Sequence, residues 1–286
     1  MSETPALFGP DNSLVGVFDD AGGASEVCCL LINAGVQPRV GPNRINVKIS
    51  RALAQRGIAS MRFDLAGIGD SKPAATARAY EEQAALDIGA AMDFVSRVGG
   101  PRKFVIFGIC SGAVNAHRGA MIDPRVVGLL MLDGFWYRTW LSEPMRLWKR
   151  LRTRSFANFF EALHRRLRPR PASNGGGAPA VDIFSIDGSG NPPKADFARE
   201  MNELAARGVQ LFFLYTGSVP EQVSYGNQMR HAFAGEAFVK HSRIELHDDL
   251  DHTAVPLRAQ RKLLAMIGDW AEDVARRHGG KPTPAR

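Results

Sequence analysis

The sequence predicts an α/β protein built on a doubly wound, mostly parallel sheet. Three observations lead there. Short, nearly continuous apolar runs recur along the chain, at 26–33 (EVCCLLIN), 58–63, 104–107, 126–132 and 209–215. Strands buried on both faces need runs of this kind. Stretches of helical periodicity separate them, at 43–55, 80–98 and 113–121, and such alternation implies parallel strands with helices on both faces. Finally, 286 residues with 45% hydrophobic and 23% charged content suffice for one large domain with a sizeable core.

The elements follow in order. Residues 7–18 read as a hairpin around a Pro-Asp-Asn turn. After the first buried strand and a glycine-containing loop, the helix over 43–55 stops at Gly57. The strand 58–63 closes on DLAGIGDS. Strand 104–107 runs into Gly108-Ile109-Cys110-Ser111-Gly112 and then a helix, strand 126–132 ends at Asp133, and strands are expected at 209–215 and 238–246. With the hairpin these make eight strands. An amphipathic helix over 255–278 closes the chain.

One segment, 135–207, breaks the rhythm. Between Arg138 and Arg170 it carries ten Arg or Lys against two Glu, and 171–179 is rich in Gly, Ser, Asn and Pro, which predicts a mobile stretch. It reads as an inserted, basic, partly helical lid over the carboxyl ends of the strands. The core is then 1–134 and 208–286.

Charge and composition exclude several functions. The net charge of +7 comes from 36 basic and 29 acidic residues, but its excess is local. No zinc-finger spacing, helix-turn-helix signature or aromatic RNA-binding motif is present, so nucleic acid is not expected. No apolar run reaches the roughly 18 residues of a membrane span. No signal peptide is evident, and three cysteines make no disulfide framework, so a reduced, cytoplasmic setting is expected. No cofactor or metal is expected.

The chemistry centres on Cys110. A G-x-nucleophile-x-G pentapeptide between a strand and a helix forces a sharp turn with the nucleophile exposed at its tip, and the helix beneath offers N–H groups to thiolate and oxyanion. Ser111 is one position off the tip. A buried structural thiol is the competing reading. The base should come last in the chain, after the final strand, where His252 stands in Asp-Leu-Asp-His-Thr; a surface loop histidine is the bland alternative. An orienting acid is usual in the loop after strand 209–215. That loop reads Thr216-Gly217-Ser218-Val219-Pro220-Glu221, and Ser218 holds the acid's expected place. Asp133, a carboxylate after five apolar residues, needs a partner and is favoured as the acid. Glu221 is the alternative, although Pro220-Glu221 also suits the first turn of a helix. For the oxyanion, the backbone N–H groups of Ser111 and Val36 are the candidate donors, with Gln37, Arg39 and Trp136 as candidate substrate-lining residues.

GICSG, DLAGIGDS, the late Asp-His-Thr and the strand order together resemble the α/β-hydrolase superfamily across nearly the whole chain except the lid. More narrowly, NAGVQPRVGPNR and RALAQRGIASMRFDLAGIGDS resemble bacterial hydrolases found among exopolysaccharide-sorting and natural-product genes. The Asp133 position resembles the thioesterase domains of peptide and polyketide assembly lines, whose acid follows the strand after the elbow helix. Cysteine in place of serine departs from most members, a departure that dienelactone hydrolases and polyhydroxyalkanoate synthases share. The resemblance implies the α/β-hydrolase fold and acyl transfer by a Cys110–His252–Asp133 triad on a thioester or activated ester. Interleaved with Trp136, Trp140, Trp148, Phe159 and Phe160, the basic lid suggests an acyl or peptidyl carrier protein or coenzyme A as acyl donor. An anionic membrane surface or a plain solvated face would fit the same composition. The alternatives are carboxylester hydrolysis and a non-catalytic hydrolase-fold binding protein, the latter supported by the missing acid at Ser218.

Overall fold

The computed structural model describes residues 3–22, 26–32, 34–153 and 190–279. Eight strands form one sheet: β1 (Glu3–Phe8), β2 (Leu14–Asp19), β3 (Val27–Ile32), β4 (Ala59–Phe63), β5 (Lys103–Ile109), β6 (Val126–Leu132), β7 (Gln210–Thr216) and β8 (Ser242–His247). Their order is β1-β2-β4-β3-β5-β6-β7-β8. The β1–β2 hairpin and the β2–β4 pair are antiparallel, and every pair from β4 to β8 is parallel. The central strands β3 and β4 are buried at every position, as the unbroken apolar run of β3 requires; in β4 Ser60 and Arg62 are buried with partners, Ser50 and Glu3.

Helices cover both faces. On one side α1 (Ile45–Ala54) and α8 (Leu257–Arg277) lay Ile45, Ile49 and Leu53, and Leu263, Ile267, Trp270 and Val274, on the sheet. These positions recur at the spacing of one helical face. On the other side lie α2 (Tyr80–Val98) and α3 (Ser111–Ile122), with Ile88, Met92, Ala113 and Ala116 buried. Among the described residues no helix is long and apolar enough to cross a membrane.

The expected insertion is smaller than 135–207. Phe135, Trp136 and Tyr137 are buried in the main core, and α5 (Lys194–Ala206) packs there through Phe197, Met201 and Leu204. Phe197 stacks against Phe135, Tyr137, Phe213, Phe233 and Phe238. This is an ordinary crossover helix between β6 and β7, hidden in the sequence by the long interruption before it. The amphipathic helix α4 (Ser142–Thr153) falls within the segment expected to be inserted. Residues 154–189, with Phe159, Phe160 and the Gly/Ser/Pro stretch, lie outside the described residues.

Two local expectations are corrected. Residues 238–246 are not one strand, because α7 (Ala237–His241) precedes β8. The Asn202 side chain accepts the Phe238 N–H at 2.9 Å, and the buried Phe238 ring is drawn against Phe213 and Phe233. These tertiary contacts override the strand propensity of the Phe-Val pair. Pro220 and Glu221 start no helix either. They lie in a turn closed by Val223 N–H to Val219 O at 3.0 Å, and α6 (Gln228–Ala232) begins later.

Candidate active site

The carboxyl ends of β3, β5, β6, β7 and β8 gather the candidate residues. Cys110 caps α3 with φ 62° and ψ −125°, a strained backbone costing on the order of 1–3 kcal/mol. Gly108 permits the turn: a Cβ there would stand 2.1 Å from the carbonyl oxygen of Gly112. The Cys110 N–H donates to Leu132 O at 2.8 Å, tying the elbow to the end of β6 beside Asp133. Cys110 is partly exposed, whereas Cys28 and Cys29 are buried in β3. Burial drives the Cys28 thiol well up and pushes Cys29 up to about 12.

Asp133, not Glu221, meets the histidine. His252 Nδ1 donates to Asp133 Oδ2 at 2.8 Å, with the carboxylate side chain 1% exposed and the imidazole 31%. Thr216 gives the carboxylate two further donors, its N–H to Oδ1 and its hydroxyl to Oδ2, both at 2.7 Å. These three bonds offset the cost of burying the charge. Asp133 itself adopts φ 47°. The hydrogen bonds of Asp133, then of Cys110, favour the charged imidazole and push His252 up to about 10. Cys110 and Asp133 therefore flank His252, and the triad residues singled out in the sequence meet in one place.

Ser218, at the place expected for an acid, has a different task. The His252 backbone N–H donates to Ser218 Oγ at 2.6 Å, and Ser218 Oγ lies 3.0 Å from Thr216 Oγ1. Since the Thr216 hydroxyl is spent on Asp133, Ser218 donates to it. A closed circuit results: His252 N–H to Ser218, Ser218 to Thr216, Thr216 to Asp133, and Asp133 back to the His252 ring. Gly217 lets the histidine loop approach, since a Cβ there would meet Asp248 O at 2.5 Å. Lys149 of α4 reaches the same loop through Asp248 at 2.8 Å. Sequence reasoning missed this circuit, although the hydroxyls flanking Gly217 were its signal.

The loop after β3 lies against the elbow. The Gly35 N–H donates to Ser111 Oγ at 2.7 Å, so the residue after the nucleophile pins that loop with its side chain. Among the described residues the amides of Val36 and Ser111 have no hydrogen-bond acceptor, as oxyanion donors would require. Val36 is 83% exposed and Gln37 is exposed. Arg39, expected to line the substrate site, instead holds the loop: its guanidinium pairs with fully buried Asp64 and, at 2.7 Å, with Asp70. Asp64 belongs to DLAGIGDS, which explains that motif structurally. Trp136, expected in the same role, is 5% exposed beneath Arg138, its ring absorbed in the core.

Comparisons with known proteins agree on the architecture. No family model matches the chain, and no curated protein matches it. Solved structures do. An esterase of Pyrococcus furiosus superposes with a TM-score of 0.61 at 14% identity, over 96% of this chain and 91% of that one. A putative α/β hydrolase of unknown function from Agrobacterium tumefaciens gives 0.56 at 14%, over 99% and 100%. An α/β serine hydrolase without a lid from Xanthomonas campestris gives 0.55 at 13%, over 98% and 97%. At such identities the likeness is one of fold, and the chain has the α/β-hydrolase fold.

Proposed function

We propose that the protein is an acyl-transfer enzyme using a Cys110–His252–Asp133 triad on a thioester or activated ester. One observation carries the reading: His252 Nδ1 is hydrogen-bonded to the buried Asp133 carboxylate, and the elbow thiol of Cys110 is among the groups that raise the same imidazole. In the cycle His252 takes the Cys110 proton, and the thiolate attacks the acyl carbonyl. The oxyanion rests on the N–H groups of Val36 and Ser111. His252 then protonates the leaving thiol or alcohol, and finally deprotonates water or another acceptor, which releases the acyl group from Cys110. Attack of a thiolate on a thioester exchanges bonds of similar energy. The acyl-enzyme thus stays reactive toward a second nucleophile, which favours thioesterase or acyltransferase chemistry. Exposed Arg138 and Trp140, with α4 beside them, support delivery of the acyl group by an acidic carrier protein or coenzyme A. The free thiols support a reducing, cytoplasmic compartment.

The test compares turnover of acyl-coenzyme A and p-nitrophenyl esters by the parent protein and by Cys110→Ala. Loss of at least about a thousandfold is expected in the variant, with thioesters preferred. Full turnover by Cys110→Ala overturns the reading. Carboxylester hydrolysis is the second reading, favoured by the esterase among the structural neighbours, and a preference for p-nitrophenyl esters would establish it. Iodoacetamide at neutral pH separates both from a non-catalytic binding protein: Cys110 alone should react quickly, while Cys28 and Cys29 stay protected.

A further inference from the structure

A cavity of about 420 Å3 lies between α2, α3 and the start of α5, walled by Val114, Met121, Ile122 and Phe135. That is within the usual range of small-molecule sites. Cys110 is not among its wall residues. His117, in its wall, stands seven residues beyond Cys110, about 10 Å along the helix axis.

Its charged groups are unbalanced. Glu81 pairs with Arg118 at 2.9 Å, which leaves Glu82 and Glu200 as an acidic excess. Glu200 lies 3.8 Å from an Arg199 that is 67% exposed, so solvent weakens that pairing. His117 is 4% exposed, and its Nε2, sealed from solvent, makes no hydrogen bond. Glu200 Oε2 stands only 3.2 Å away but off hydrogen-bonding alignment. Burial pushes the imidazole down to about 4, so the ring is neutral near pH 7 and the contact is not an ion pair. A buried nitrogen without a partner is costly, and here it sits beside a carboxylate at the wall of the cavity. Once the partly exposed Glu200 side chain turns aside to open Nε2, one donor with several N–H groups can serve both atoms at once, which is what an ammonium group offers. Among the described residues no group of three or more His, Cys, Asp or Glu is arranged to hold a metal ion, and the apolar part of the wall, Val114, Met121, Ile122 and Phe135, suits a hydrocarbon body.

We propose that this cavity binds an organic ammonium ion with an apolar body, its nitrogen between His117 Nε2 and the Glu200 carboxylate, at a site independent of Cys110. The test is calorimetric titration with phenethylamine, using the full chain before and after alkylation of Cys110 by iodoacetamide. Saturable binding of one equivalent, unchanged by alkylation, is expected, with phenethyl alcohol binding at least about tenfold more weakly. Glu200→Gln, at a half-buried position that tolerates the change, should weaken the amine by about tenfold to a hundredfold. Absence of saturation, equal binding of the alcohol, indifference to Glu200→Gln, or loss of binding on alkylation would each overturn the proposal. Only the last would place the amine at the nucleophile.

Discussion

Asp133 reaches the imidazole from the end of β6 and is itself held by Thr216 of β7. Changing it to Asn keeps the shape and removes the charge. The expected result is a fall in kcat/KM of about a thousandfold or more on whichever acyl substrate is turned over. Adding Ser218→Asp to that variant should restore at least about tenfold, because Ser218 already belongs to the same circuit. The charged imidazole also links stability to pH. His252 is raised from 6.5 to about 10, so its protonated form contributes fully below about pH 6.5, and the contribution is lost as pH rises through 10. Urea unfolding should therefore show a clear gap between parent and Asp133→Asn at about pH 6, shrinking by about pH 10.5. Cys110, His252 and Asp133 were legible because glycine spacing and strand-end positions mark them. The hydroxyl circuit was not, because it exists only once β6 and β7 are neighbours in the sheet, which no local pattern states.

Among the elements, the elbow and α5 carry the clearest consequences. Gly108→Ala drives a methyl into the Gly112 carbonyl and should abolish Cys110 alkylation together with turnover, read by mass spectrometry. Phe197→Ala should cost about 3–5 kcal/mol in denaturant unfolding, since its fully buried ring joins five other aromatic rings of the core. Most elements could be read from periodicity alone, and 80–98 and 126–132 coincide with α2 and β6 to the residue. The misread elements were those decided by distant partners. α5 was lost behind the basic interruption, and α7 took residues of strand propensity because Asn202 and the Phe cluster hold them helical.

For the molecule as a whole, the excess positive charge is concentrated between Arg138 and Arg170. If an acidic carrier protein docks there, its affinity should fall by at least about tenfold between 50 mM and 500 mM salt, because surface charge pairs are screened as the Debye length contracts. Surface plasmon resonance would show it, and an affinity indifferent to salt would remove the carrier protein from the scheme. The overall fold was legible because the strand–helix rhythm is plain in the sequence, even where identity to structural neighbours is only 13–14%. Substrate is not encoded by that rhythm. It depends on surface and loop chemistry laid over the sheet.

The closed circuit through Ser218 also bears on how such a site changes over generations. Two strand ends already converge on one histidine, one bearing a carboxylate and the other a hydroxyl. Moving the acid from one strand to the other needs only two single-residue steps, with the histidine and nucleophile left in place. In the proposed site the carboxylate can thus be supplied from either strand end, while the imidazole's need for one is fixed.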